Sequence, residues 1–227
     1  MIAFRNVTLE ITGRQVLRDV SFELPHQTLA CFVGTAAAGK TQLLSAILGL
    51  APISSGQVLV NEFDVVKQPL PARKLVCLVP ALAPLPTDLS VIEALRFLVW
   101  LGTVRAPSMP ETVRALRRAD VPDVLMSQRC SQLTQFQRLC VWLAGFHLRQ
   151  AAVLAVDEPA SDLNMRQRER LSRLLRRAVE PNHQVVVATR DEAFARRLAD
   201  RMYWLEDGVV DPERTTDVQP MWPEFRS

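Results

Sequence analysis

The residues with the most legible chemistry are Gly34, Thr35, Ala36, Ala37, Ala38, Gly39, Lys40 and Thr41, which spell G-T-A-A-A-G-K-T directly after an apolar run at 29–33. They fit the pattern G-x-x-x-x-G-K-[ST], in which a loop between strand and helix curls its backbone N–H groups around a phosphate. The dipole of the following helix favours the same negative charge. Lys40 is placed to reach the terminal phosphates of a nucleotide and the Thr41 hydroxyl to ligate Mg²⁺, with Gln42 completing the nucleotide-binding set. A second constellation, V-L-A-V-D-E-P-A-S-D-L-N, occupies 153–164. Asp157, at the end of an apolar strand, stands where a Mg²⁺-organising carboxylate must face Thr41. Glu158 is placed to polarise a water in line with the terminal phosphate.

Both motifs need a rigid sheet to hold them. Alternation of apolar and polar residues predicts antiparallel strands at 2–10 and 20–24, near an edge, while continuous apolar runs predict buried strands at 29–33, 74–79, 151–156 and 184–189. Ser54, Ser55 and Gly56 predict a turn into a strand at 57–60, and 202–206 a last strand turning at Asp207 and Gly208. Helical spacing follows the phosphate loop to about Leu48 and recurs at 90–101, 110–119, 134–147, 166–179 and 192–199. Ser90 is a candidate cap for the first of the middle helices. Between 81 and 130 there is no strand signal, only prolines and two helical patterns, so an all-helical insertion interrupts an α/β core.

Composition narrows the function classes. A 227-residue chain with 48% hydrophobic and 22% charged residues is globular and long enough for a sizeable core. A net charge of +3 does not call for nucleic acid, and no nucleic-acid partner is expected. Only Lys40, Lys67 and Lys74 among the 27 basic residues are lysine, so the arginines of 166–179 are expected to be chiefly a solvated face. The four cysteines form no C-x-x-C pair, which argues against a zinc or redox motif. Neither a signal peptide nor an apolar run of about 18 residues is evident, so any membrane role is expected to be peripheral.

The paired motifs, with the helical insertion between them, resemble those of the ATP-binding cassette ATPases, the nucleotide-binding subunits of membrane transporters. The likeness runs to L-E-D-G-V-V at 205–210. It implies an α/β phosphate-loop NTPase core with a mostly parallel sheet and antiparallel N-terminal strands. That domain would span 1–211, with a helical subdomain at about 82–148 and a tail at 212–227. It implies ATP and Mg²⁺ as cofactors, a transmembrane permease as partner, a homodimer or a heterodimer with another cassette, and a peripheral place on the cytoplasmic face of the membrane.

Several positions depart from the family pattern. Ala37 stands where a glycine is usual, and if that residue takes positive φ the alanine costs about 1–2 kcal/mol. Ala81 replaces a glutamine that contacts Mg²⁺ and water. Leu133, Thr134, Gln135, Phe136 and Gln137 replace L-S-G-G-Q, so Phe136 is expected to intrude where backbone should approach a partner's phosphate. Arg190, after Thr189, replaces the switch histidine and is a candidate catalytic residue beside Glu158. Ile11 and Thr12 precede Gly13 where an aromatic residue normally stacks on adenine, and Asn164 replaces an aspartate. The resemblance therefore implies Mg-ATP binding with slow hydrolysis coupled to a permease, the alternative being a catalytically degenerate cassette beside an active partner.

Overall fold

The computed structural model describes residues 1–218. Two sheets and a helical lobe make up the architecture. The first sheet is antiparallel, in the order β2-β1-β4-β5, from β1 (Ile2–Ile11), β2 (Arg14–Leu24), β4 (Ile53–Val60) and β5 (Phe63–Asp64). The second contains β3 (Leu29–Val33), β6 (Val76–Val79), β7 (Val153–Asp157), β8 (Gln184–Thr189), β9 (Arg201–Glu206) and β10 (Val209–Asp217), in the order β10-β9-β3-β8-β7-β6. All its pairings are parallel except β10 with β9.

Strand β3 shows why this sheet is buried on both faces. Successive side chains point to opposite sides: Leu29, Cys31 and Val33 join a core with the helices, whereas Ala30 and Phe32 join a core with the first sheet. Phe4, Phe22, Phe32 and Tyr203 stitch the two sheets together, with ring centroids 4.5 to 5.0 Å apart along the series. The face toward the first sheet also carries α1 (Lys40–Ile47), through Leu43, Leu44, Ala46 and Ile47.

Between β6 and β7 stand α3 (Val91–Thr103), α4 (Met109–Arg118) and α5 (Gln135–Arg149), with no strand among them. Each starts on a reciprocal cap, Ser90 with Glu93, Ser108 with Glu111, and Thr134 with Gln137. The remaining helices are α2 (Pro69–Lys74), α6 (Met165–Arg177) and α7 (Glu192–Leu198). On α6, Arg168 pairs with Asp191 and Arg176 with Asp200, while Arg166, Arg173 and Arg177 are exposed.

Local differences from the sequence expectations have physical causes. Ser54, Ser55 and Gly56 lie inside β4, where pairing with β1 shifts register and Gly56 (φ 86°) packs against the carbonyls of Arg5 and Asn6. Lys74 ends α2, and β6 starts only at Val76. Residues 212–217, expected as tail, continue β10: after a break in register between Asp211 and Thr216, Thr216 and Asp217 pair with Met202 and Arg201 of β9. Residues 219–227, including Pro220 and Pro223, lie outside the described residues. All four cysteines are buried and unbridged.

Candidate functional site

Parallel pairing brings three strand ends to one edge: Val33 of β3 lies beside Thr189 of β8, and Asp157 of β7 beside Ala188. The phosphate loop leaves that edge through Gly34, where a Cβ would stand 2.1 Å from the Leu205 carbonyl oxygen. It returns at Gly39, in the left-handed region (φ 101°) against the Val16 carbonyl. Lys40 is the first residue of α1 and only 2% exposed. Its Nζ donates to the carbonyls of Gly34 (3.0 Å) and Thr35 (2.7 Å) across its own loop. Thr35, Ala36 and Ala37 are exposed, Ala38 is buried, and no acidic side chain occupies the first turn of α1. Ala37 is absent from the positive-φ residues, so the alanine imposes no left-handed strain. The condition for the expected cost of about 1–2 kcal/mol is therefore not met.

The acidic pair meets this loop directly. Thr41 Oγ1 donates to Asp157 Oδ2 at 2.8 Å, and the other oxygen, Oδ1, is buried without a hydrogen-bond partner. Burial raises the Asp157 pKa and Glu158 adds to the rise, while the Thr41 hydrogen bond and Lys40 oppose it. Glu158 takes a positive φ of 42°, which turns its carboxylate back over the loop. There Oε1 lies 3.4 Å from both Lys40 Nζ and Arg190 Nε, and Oε2 accepts from the Arg190 amide at 3.1 Å. The structure thus gathers Lys40, Thr41, Asp157, Glu158 and Arg190 in one place, with Gln42 half-buried beside them. Among the described residues no cluster of three His, Cys, Asp or Glu side chains could hold a metal. One hydroxyl and one carboxylate with an orphaned oxygen instead suit Mg²⁺, which completes its shell with phosphate and water oxygens.

The segment at the start of α5 differs from the sequence expectation. Phe136 is buried (5% exposed) in the helical core with the Arg170 guanidinium 5.0 Å from its ring centroid, so it does not project into the space before the helix. Thr134 caps α5: its Oγ1 accepts from the Gln137 amide at 3.4 Å, and Gln137 Oε1 accepts from the Thr134 amide at 2.8 Å. Asn164 likewise caps α6, accepting from the Gln167 amide at 3.0 Å. Ala81 is exposed and carries no group able to coordinate anything. The loop it opens is tied to α5 by Arg138 Nε on the Leu82 carbonyl (3.3 Å) and Trp142 Nε1 on the Pro84 carbonyl (3.1 Å).

Beside the phosphate loop lies a cleft of about 580 Å³. Ala36, Ala37 and Gln42 form one wall, and the start of β2, with Arg14 and Gln15, forms another. Arg18 and Asp207 close it, Arg18 Nε donating to the Asp207 carbonyl at 2.9 Å. Arg14, Gln15 and Arg18 were not singled out from the sequence, although Ala36, Ala37 and Gln42 were. The signal available was a basic residue immediately after Gly13.

A glycine-bounded loop, a lysine folded over it, and a Thr–Asp pair with a following glutamate at the edge of a parallel sheet define a phosphate-loop nucleotide-binding protein. Comparison narrows that class. The ABC transporter family model matches residues 17–161, more than half of the chain. A hemin import ATP-binding protein of Bordetella bronchiseptica is 33% identical over 222 residues, covering 90% of this chain and 82% of that protein. An ABC transporter ATP-binding protein of Streptomyces coelicolor is 32% identical over 197 residues, covering 86% of this chain and 34% of that protein. This chain spans about a third of the length of that relative and of its Streptomyces avermitilis counterpart, 34% and 37%. In fold, it is similar to a dimeric ATP-binding cassette bound to ADP and phosphate, with a TM-score of 0.84 at 21% identity over 97% of this chain and all of that one. The chain belongs to the ABC transporter family, as an ATP-binding cassette domain.

Proposed function

We propose that this chain binds Mg-ATP on the loop 34–42 and uses slow hydrolysis to drive a transmembrane permease, paired with an identical or a different second cassette at the cytoplasmic face of the membrane. The observation that carries the reading is the convergence of Lys40, Thr41, Asp157 and Glu158 on one loop. With a triphosphate present, Lys40 exchanges the Gly34 and Thr35 carbonyls for phosphate oxygens, and the loop's amides supply further donors. Thr41 and Asp157 would hold Mg²⁺, whose chemistry there is to neutralise charge developing on the phosphates. Glu158, released from Lys40, orients a water and accepts its proton, while Arg190 offers a fixed positive charge where an imidazole is usual. Several relatives are import ATP-binding proteins by name, which supports a transporter setting.

A second reading, an ATP-binding cassette that regulates an active partner without turnover, draws on Ala81, which has no side chain to position water. Turnover by the purified chain, with and without Glu158→Gln, separates the two. The account expects slow phosphate release, abolished by Glu158→Gln with ATP binding retained. Release indifferent to Glu158→Gln would sink the hydrolytic reading, and turnover of about 1 per second or more by the chain alone would sink the expectation of slow hydrolysis.

A further inference from the structure

A triphosphate seated on the loop must place its nucleoside somewhere, and the adjoining 580 Å³ cleft is of a size to hold one. No aromatic side chain lines that cleft. The two residues before Gly13 do not serve it: neither Ile11 nor Thr12 lines the cleft, and Thr12 Oγ1 donates to the Ile11 carbonyl at 2.8 Å. Arg18 is spent on the Asp207 carbonyl. Arg14 is different. It is exposed, lines the cleft, follows the tight turn at Thr12 and Gly13, and its guanidinium makes no hydrogen bond or ion pair among the described residues. Its strand is also held firmly against the loop. A Cβ on Gly39 would meet the Val16 carbonyl at 2.8 Å, and the Arg18 amide donates to the Gly208 carbonyl at 2.7 Å.

We propose that the Arg14 guanidinium is the stacking platform for the nucleobase, taking the part that an aromatic ring plays elsewhere. The inference rests on the nucleotide-binding reading above and specifies how that site holds the base. A guanidinium is planar, weakly hydrated and permanently charged, so it stacks on a π-face where a lysine ammonium cannot. Stacking of this kind reads the face of a base and not its edge, so purines bind with little discrimination.

The test is calorimetric titration of the full chain with Mg-ATP, Mg-GTP and Mg-tripolyphosphate, the last having phosphates but no base. Arg14→Ala weakens ATP and GTP about five- to hundredfold while leaving tripolyphosphate within about twofold. Arg14→Trp restores both nucleotides and Arg14→Lys does not, because the plane and not the charge is needed. In the parent chain ATP and GTP bind within about threefold of each other. Two results overturn the proposal while leaving the nucleotide reading intact. One is unchanged ATP affinity in Arg14→Ala. The other is an equal loss for ATP and tripolyphosphate rescued by Arg14→Lys, which makes Arg14 a counter-charge for phosphate. Failure of the parent to bind either ATP or tripolyphosphate removes the reading itself, and the proposal with it. Arg14 is exposed, so unfolding is not expected to confuse these outcomes, and far-ultraviolet circular dichroism of each variant checks it.

Discussion

Restoring the family's glycine at position 136 is expected to harm this protein. From sequence, Phe136→Gly removes an obstruction and improves the segment that approaches a partner's nucleotide. In the structure it empties a core. Phe136 is 5% exposed, lies in the first turn of α5 and carries the Arg170 guanidinium over its ring. Truncating a buried Phe to Ala costs about 3–5 kcal/mol, glycine in the helix adds up to about 1, and the lost cation–π contact about 0.5–1. The sum of about 4–7 kcal/mol is a large share of an ordinary domain's stability of about 5–15 kcal/mol. Urea denaturation followed by circular dichroism is the assay, and with a slope of about 3 kcal/mol per molar the midpoint falls by about 1.3–2.3 M. Gln135→Gly, at a half-buried neighbour, is the control and costs about 1 kcal/mol. An unchanged midpoint together with faster ATP turnover in Phe136→Gly would refute the reasoning, because it would place the ring in the nucleotide-facing space.

Four further outcomes follow from the geometry. Gly39→Ala forces a side chain into a left-handed conformation and onto the Val16 carbonyl, for a loss of about 2–5 kcal/mol in the same urea assay. Ala37→Gly costs about 0.5–1 kcal/mol without tightening ATP binding, since Ala37 is unstrained. Burial, with Arg118 adding, pushes the His147 pKa from 6.5 down to about 4. The unfolded chain therefore binds the extra proton first, and stability is lost as pH falls from about 6.5 to about 4. His147→Gln flattens that limb of a stability–pH profile, and an unaltered limb counts against it. Thr12→Asn replaces a β-branched residue at φ 49° in the two-residue turn before Arg14 and raises stability by about 0.5–1 kcal/mol in thermal denaturation; a loss there would count against the turn geometry.

How far the sequence reached depended on the kind of evidence each feature leaves. Continuous apolar runs around 29–33, 151–156 and 184–189 announce strands covered on both faces, and the mixed fold follows from them. Helix α2 was missed because Pro69 and Pro71 look like breakers, although the first turn of a helix tolerates them where no N–H partner is needed. Gly56 signalled a turn but supplies a bulge, since both need positive φ and only the partner strand distinguishes them. At the site, the residue types of the phosphate loop and the acidic pair were legible from spacing. The direction in which Phe136 points was not, because an aromatic in a first turn can face either way until α6 packs against it. The φ of Ala37 was equally out of reach. The cleft beside the loop was not foreseen as a unit because its walls come from the start of β2, from Asp207 and from the loop itself, far apart in sequence.

The central claim is that Lys40 and its loop bind Mg-ATP. Calorimetric titration of Mg-ATP into the full chain and into Lys40→Ala tests it most directly. The account predicts saturable one-site binding by the parent and a loss of at least about tenfold in Lys40→Ala, from removal of charge-assisted hydrogen bonds worth about 1.5–3 kcal/mol each. Equal affinities in the two proteins, or no binding by the parent at millimolar ATP, would contradict it.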